Sequence, residues 1–169
     1  MIKLILPIEA SQVRELRLLS LETDPDAFVS TYAYESQFDI DYYSRKISYN
    51  LVAPYFGYWG YYKQELLVGY AQLIREQLPR VNHIADIFEF YVHPDFRRQG
   101  LGKDLLNHLV QLCKNHPDIE LLQLKVTSTN QPAIKLYEAF NFLKTHTQEN
   151  QIKTNQGYLD ETIMCLSLR

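Results

Sequence analysis

Carboxylates, basic side chains and paired glycines gather between Asp86 and Lys103. An apolar run, Ile87 to Val92, reads as a buried strand, and Pro94 ends it. A basic, glycine-bearing turn follows, Arg97-Arg98-Gln99-Gly100-Leu101-Gly102-Lys103. Leu101, Leu105, Leu109 and Leu112 then recur at helical spacing. Strand, glycine turn and helix together make an anion site. The first turn of a helix leaves its backbone N–H groups unpaired, and the helix dipole adds partial positive charge there. Gly100 and Gly102 carry no side chain to block close approach, and Arg97, Arg98 and Lys103 add positive charge. A phosphate or pyrophosphate fits such a turn. Two better-known phosphate motifs fail: Arg97 and Asp104 stand where a P-loop needs Gly and Ser or Thr, and Leu105 stands where the dinucleotide fingerprint needs its third Gly. The alternative is a tight turn that uses glycine for geometry alone. Asp86 and Glu89 add two carboxylates on the strand, on opposite faces by strict alternation unless a bulge intervenes. His93 is a proton-relay candidate, although a His before Pro is more often a turn residue.

What survives those exclusions resembles the Arg/Gln-x-x-Gly-x-Gly/Ala motif of the GNAT superfamily of acetyl-CoA-dependent N-acetyltransferases, matched by Arg97, Gly100 and Gly102. The leader Tyr91-Val92-His93-Pro94-Asp95-Phe96 is similar to that family's approach to the turn. A second stretch resembles the family segment Asn-x-x-Ala-x-x-Leu-Tyr-Glu-x-x-Gly-Phe, with Asn130, Ala133, Leu136, Tyr137, Glu138 and Phe142 in place. Asn141 replaces the family glycine. Asn tolerates the left-handed backbone better than most residues, so the departure is mild.

The resemblance implies a fold and a site. The central strand and the strand Leu121 to Val126 splay apart, and the pantetheine arm of acetyl-CoA enters between them. Backbone groups of Phe90, Tyr91 and Val92 hydrogen-bond the arm, and the backbone of Arg97, Arg98, Gln99, Gly100, Leu101, Gly102 and Lys103 cradles the pyrophosphate. Asn130 contacts the arm from the other side. A primary amine then attacks the thioester directly in a ternary complex, so a base must take a proton. Tyr137 matches the family's acid for the departing thiolate, and a phenol with a reference pKa of about 10 is protonated at neutral pH. Core packing on a helix is its alternative role. For the base, Glu89 is preferred to Asp86 because it lies nearer the splay and reaches further; a plain salt-bridged carboxylate is the alternative for either. Family acceptors include polyamines, antibiotics, amino acids, protein N-termini and lysines. Asp24, Asp26, Glu35, Asp39 and Asp41, set among tyrosines, predict a cationic amine here. A non-catalytic acetyl-CoA-binding sensor or structural module is the rival reading.

The elements that must hold these residues follow from periodicity. The order is a strand (Ile2 to Leu6), helices over Glu9 to Glu22 (capped by Ser11) and Asp41 to Tyr49, and strands over Tyr55 to Tyr62, Leu66 to Ile74 and Ile84 to Val92. The long helix, a strand over Leu121 to Val126, a helix over Ala133 to Phe140, and strands near Leu143 to Thr147 and Glu161 to Leu168 complete it. Ala27 to Ser36 is ambiguous between loop and extended chain. The expectation is an α/β fold in one domain over residues 1–169: a mixed, mostly antiparallel sheet of six to seven strands, about four helices on both faces, and one splayed parallel pair.

Composition bounds the rest. With 46% hydrophobic and 22% charged residues in 169, the chain is an ordinary globular one with a substantial core. Net charge of −3 argues against a nucleic-acid binder. Two cysteines, Cys113 and Cys165, are too few for a disulfide framework and read as buried thiols; no Cys/His spacing implies a metal. The short start broken by Pro7 is no signal peptide, and no run reaches membrane-spanning length, so a cytoplasmic setting is expected. A homodimer through the C-terminal strands or exposed tyrosines is compatible with the sequence. The 13 tyrosines read as an aromatic sheet core rather than a pocket lining.

Overall fold

In the computed structural model, which describes residues 1–169, the chain forms seven strands and five α-helices. The strands are β1 (Ile2–Leu4), β2 (Gly57–Lys63), β3 (Leu66–Arg75), β4 (Ile84–Val92), β5 (Leu121–Thr127), β6 (Leu143–Thr154) and β7 (Gly157–Ser167). The helices are α1 (Ala10–Thr23), α2 (Tyr32–Glu35), α3 (Ile40–Asn50), α4 (Leu101–Asn115) and α5 (Gln131–Glu138). The sheet order is β1-β2-β3-β4-β5-β7-β6. Every neighbouring pair is antiparallel except β4 and β5, which α4 joins as a crossover. The expected mixed α/β sheet is therefore present, with one more helix.

Helices cover both faces because both are apolar. Leu105, Leu106 and Leu109 of α4 and Ile134 and Tyr137 of α5 pack on Ala85, Ile87, Leu122 and Leu124. On the opposite face, Val13 and Leu16 of α1 and Tyr43 and Ile47 of α3 pack on Tyr58, Tyr62, Tyr70 and Tyr91. Most of the inner tyrosines are thus core, while Tyr32, Tyr34 and Tyr49 are exposed. No helix is long and apolar enough to cross a membrane.

Several boundaries differ from expectation. Glu9, not Ser11, precedes the first turn of α1, because a 3₁₀ turn at Pro7–Glu9 sets the helix entry. The ambiguous stretch after Phe28 contains the single helical turn α2, whose cap is the Thr31 hydroxyl. Strand β6 runs seven residues beyond Thr147; it is an edge strand exposed along most of its length, so it carries little apolar signal. Asp39 caps α3 and Asn130 caps α5, which therefore starts two residues before Ala133 and ends at Glu138. Asn141 has φ +65° and does the work of the family glycine.

Candidate active site

The site begins where two parallel strands part. β4 and β5 pair from Ile84–Leu121 to Ile87–Leu124 and no further. Beyond that point β4 continues against β3 to Val92, and β5 continues against β7 to Thr127. The slot between them opens into a cleft of about 1190 Å³. Pairing with β3 decides which backbone groups face the slot. His93 N–H donates to Val68 O at 2.9 Å, so Val92 opposite Gly69 is a non-bonded pair and Tyr91 opposite Tyr70 a bonded one. Phe90 and Val92 therefore turn their main-chain groups to the slot. Tyr91 does not: its main chain is engaged with β3, and its ring packs on the α1 side, with its hydroxyl 2.8 Å from Thr23 Oγ1. This corrects the expected contact from its backbone.

At the end of β4 the chain builds an anion cradle. The 3₁₀ turn Pro94–Phe96 is capped by His93, whose Nδ1 accepts from Asp95 N–H at 3.2 Å, so His93 serves as a turn residue. Arg98 and Gly100 take positive φ values, +59° and +85°. Asp104 N–H is the first to bond back into the helix, to Gly100 O at 2.9 Å. No group of the chain accepts from the backbone N–H groups of Arg98 to Lys103, and these are consecutive. Gly102 lies beside Phe90, Val92 and Leu136, where a Cβ would fill space on the cleft wall. Arg98 and Lys103 line the cleft at this turn and make no ion pair, so they supply the turn's unpaired positive charge. Arg97 differs from expectation. Its guanidinium binds Asp24 at 2.6 Å and the Val92 carbonyl at 2.9 Å, and its own N–H donates to Pro94 O. Burial would lower its pKa, but Asp24 outweighs that and raises it. Arg97 ties the turn to α1 and offers no free donor from its Nε. The Gln99 side chain donates to Asp95 O and does not line the cleft.

A bulge in β4 places the carboxylate. Register shifts by one residue between Gln72–Phe88 and Tyr70–Tyr91, and Glu89 has φ +51°. Two residues of β4 thus oppose Ala71 alone, which puts Glu89 on the same face as Asp86. Glu89 lines the cleft and accepts from Lys46 Nζ at 2.7 Å and from Tyr58 Oη at 3.4 Å. Asp86 accepts from Gln123 at 2.8 Å and lies outside the cleft; burial raises its pKa. On the other wall Tyr137 is buried with its ring edge against Phe90, centroids 6.2 Å apart. Burial raises its pKa, so the hydroxyl stays protonated. Asn130 lines the cleft; its Oδ1 caps α5 by accepting from Ala133 N–H, which leaves its amide N–H₂ unengaged.

Two residues went unremarked in the sequence reading. Lys46 of α3 holds Glu89. Arg17 of α1 lines the cleft and is paired with Glu35 at 2.6 Å in the interior. The signal for Arg17 was available: it sits in the buried stripe Val13, Leu16, Arg17, Ser20, Leu21, where a charge is unusual. The carboxylates that predicted a cationic acceptor are mostly engaged: Asp24 with Arg97, Glu35 with Arg17, Asp39 as a cap, Asp41 with Arg45.

A slot between splayed parallel strands, with unpaired N–H groups at its phosphate-sized end and a carboxylate and a phenol on opposite walls, matches a known pattern. The acetyltransferase (GNAT) family pattern fits residues 14–142. The chain belongs to the GNAT family. Among relatives of this GNAT protein, the ribosomal protein bS18-alanine N-acetyltransferase of Salmonella typhimurium is 38% identical over 84 residues, 50% of this chain and 56% of that one. The chain thus spans little more than half the length of that relative. Among solved structures, an acetyltransferase of GNAT family from Streptococcus pneumoniae superposes with a TM-score of 0.87 at 21% identity, covering 99% of this chain and 98% of the other. The structure of yncA from Salmonella typhimurium with its cofactor acetyl-CoA gives 0.81 at 18% identity, covering 100% and 94%. Both likenesses establish the fold.

Proposed function

We propose that this GNAT protein is an N-acetyltransferase that moves the acetyl group of acetyl-CoA to a primary amine. The observation that carries the proposal is the run of unpaired N–H groups, Arg98 to Lys103, at one end of a slot whose walls present Glu89 and Tyr137. The cradle binds the pyrophosphate with Arg98 and Lys103, and the arm lies along Phe90 and Val92 with the Asn130 amide opposite. Glu89 takes the proton of the acceptor amine, directly or through water. The amine nitrogen forms the amide bond as the carbon–sulfur bond breaks, and Tyr137 donates its proton to the leaving thiolate. The sensor reading is weaker, since a bare CoA-binding module has no need of a strained Glu89 and a protonated Tyr137 on the same slot. The two unbridged cysteines accord with a reducing compartment, and we assign the reaction to the cytoplasm, carried by one domain over residues 1–169.

The test is release of free thiol from acetyl-CoA with a panel of polyamines, amino acids, short peptides and aminoglycosides. Turnover with one amine class supports the enzyme. Silence across the panel, with acetyl-CoA still raising the melting temperature, favours the sensor. Silence with no thermal shift overturns the cradle as a CoA site.

A further inference from the structure

The acceptor half of the cleft contains a buried charge that the chain answers only in part. The Arg17 side chain is 4% exposed. Its Nε and Nη2 donate to the two Glu35 oxygens at 2.6 to 3.1 Å, and its guanidinium lies 4.8 Å over the Phe28 ring. Nη1, at the other end of the same rigid plane, is buried and has no hydrogen-bond partner. Tyr70 Oη is buried close to Arg17 and likewise has no hydrogen-bond partner within 3.5 Å. An unmet guanidinium N–H in the interior is costly and rare, so its persistence beside a ligand cleft points to a ligand atom. Arg17 forms part of that cleft wall together with Phe28 and Glu89.

The missing partner must be an oxygen acceptor, because a guanidinium only donates. Resting on the acetyltransferase reading above, we propose that Arg17 Nη1 receives the oxygen of a carbonyl or carboxylate borne by the carbon next to the acceptor's amine carbon. The acceptor is then an α-amino acyl compound, either a free amino acid or the first residue of a peptide. Its amine lies at Glu89 and its oxygen at Arg17; both residues face the α1 side of β4, and Glu89 is close enough to add to the charge that holds Arg17 protonated. The same geometry disfavours polyamines. They bring no oxygen for Nη1.

The experiment measures thiol release from acetyl-CoA with alaninamide, alanine, a short alanyl peptide, isopropylamine and spermidine, using the wild-type chain and Arg17→Lys. Isopropylamine keeps the branched amine carbon and lacks the carbonyl. The expected wild-type preference for the carbonyl-bearing amines shrinks by about tenfold or more in Arg17→Lys, the size of one lost charge-assisted hydrogen bond. Comparing that preference between the two proteins cancels the different basicities of the amines. Alanine and the peptide separate the free amino acid from the N-terminus as source. Product inhibition of the wild type needs no variant: N-acetylalaninamide should inhibit about tenfold more tightly than N-isopropylacetamide. Turnover with equal preference and equal inhibition overturns the Arg17 assignment and leaves the acetyltransferase standing. Absence of turnover with every amine overturns both.

Discussion

The roles proposed for Tyr137 and Glu89, on opposite walls of the cleft, make separable predictions. The Tyr137 hydroxyl makes no hydrogen bond within the chain and is held protonated by burial. Tyr137→Phe should therefore lower kcat by about 10²-fold or more, the scale of general-acid catalysis, while the melting temperature holds or rises because no internal bond is lost. Stopped-flow turnover and calorimetry on the same sample check both halves; an unchanged kcat would remove Tyr137 from the chemistry. Glu89, the proposed base, also holds an ion pair, with Lys46 Nζ 2.7 Å away. Glu89→Gln should cut turnover by about 10²-fold at neutral pH yet leave acetyl-CoA affinity intact, because the cradle lies beyond Val92. Isothermal titration beside steady-state rates distinguishes loss of the base from collapse of the strand.

At the scale of elements, the turn into α4 is set by backbone conformation. Gly100 has φ +85° with nothing within 4 Å of a built Cβ, so its requirement is conformational and not steric. Gly100→Ala should cost about 1–2 kcal/mol and weaken acetyl-CoA binding as the cradle opens. Gly100→Asn should cost less, because Asn accepts the left-handed region more readily. Melting temperatures with and without acetyl-CoA read both effects; equal losses for Ala and Asn would mean that φ is not the constraint. The β4 bulge is the second such device. Without it Glu89 would face α4, away from Lys46 and Tyr58.

The whole molecule carries an unusual load of buried phenols. Tyr43, Tyr58, Tyr62, Tyr70 and Tyr137 are all buried, and burial raises the pKa of each. The unfolded chain loses these protons near pH 10 while the folded chain keeps them. Their contribution is therefore whole below about pH 10 and falls above it, by ~1.4 kcal/mol per pH unit for each protected tyrosine. Urea midpoints should be flat from pH 8 to 9 and drop steeply by pH 11, with tyrosinate absorbance appearing in step with unfolding. Gradual tyrosinate absorbance from a still-folded protein would contradict this. At the acid side Arg17 acts the other way: burial alone would raise the Glu35 carboxyl, but its bonds to Arg17 outweigh that and lower it.

The periodicities, the glycine turn and the two motif stretches are legible in the chain alone, because they depend on neighbours in sequence. Leucine spacing placed α4, Pro94 ended β4, and the Asn130 to Phe142 stretch put Tyr137 on α5. Features that depend on distant partners emerge only when the chain packs. Pairing with β3 turned the Tyr91 backbone from the slot and inserted the bulge that aims Glu89. Asp24, 73 residues before Arg97, took the side-chain charge that Arg97 was expected to add to the turn. Arg17 stands in an apolar helical stripe, but its partner Glu35 and its place beside the cleft come only from the packing of α1 on β3. A carboxylate counted along the chain has only a formal charge; whether that charge reaches a ligand is fixed by the partner the fold brings to it.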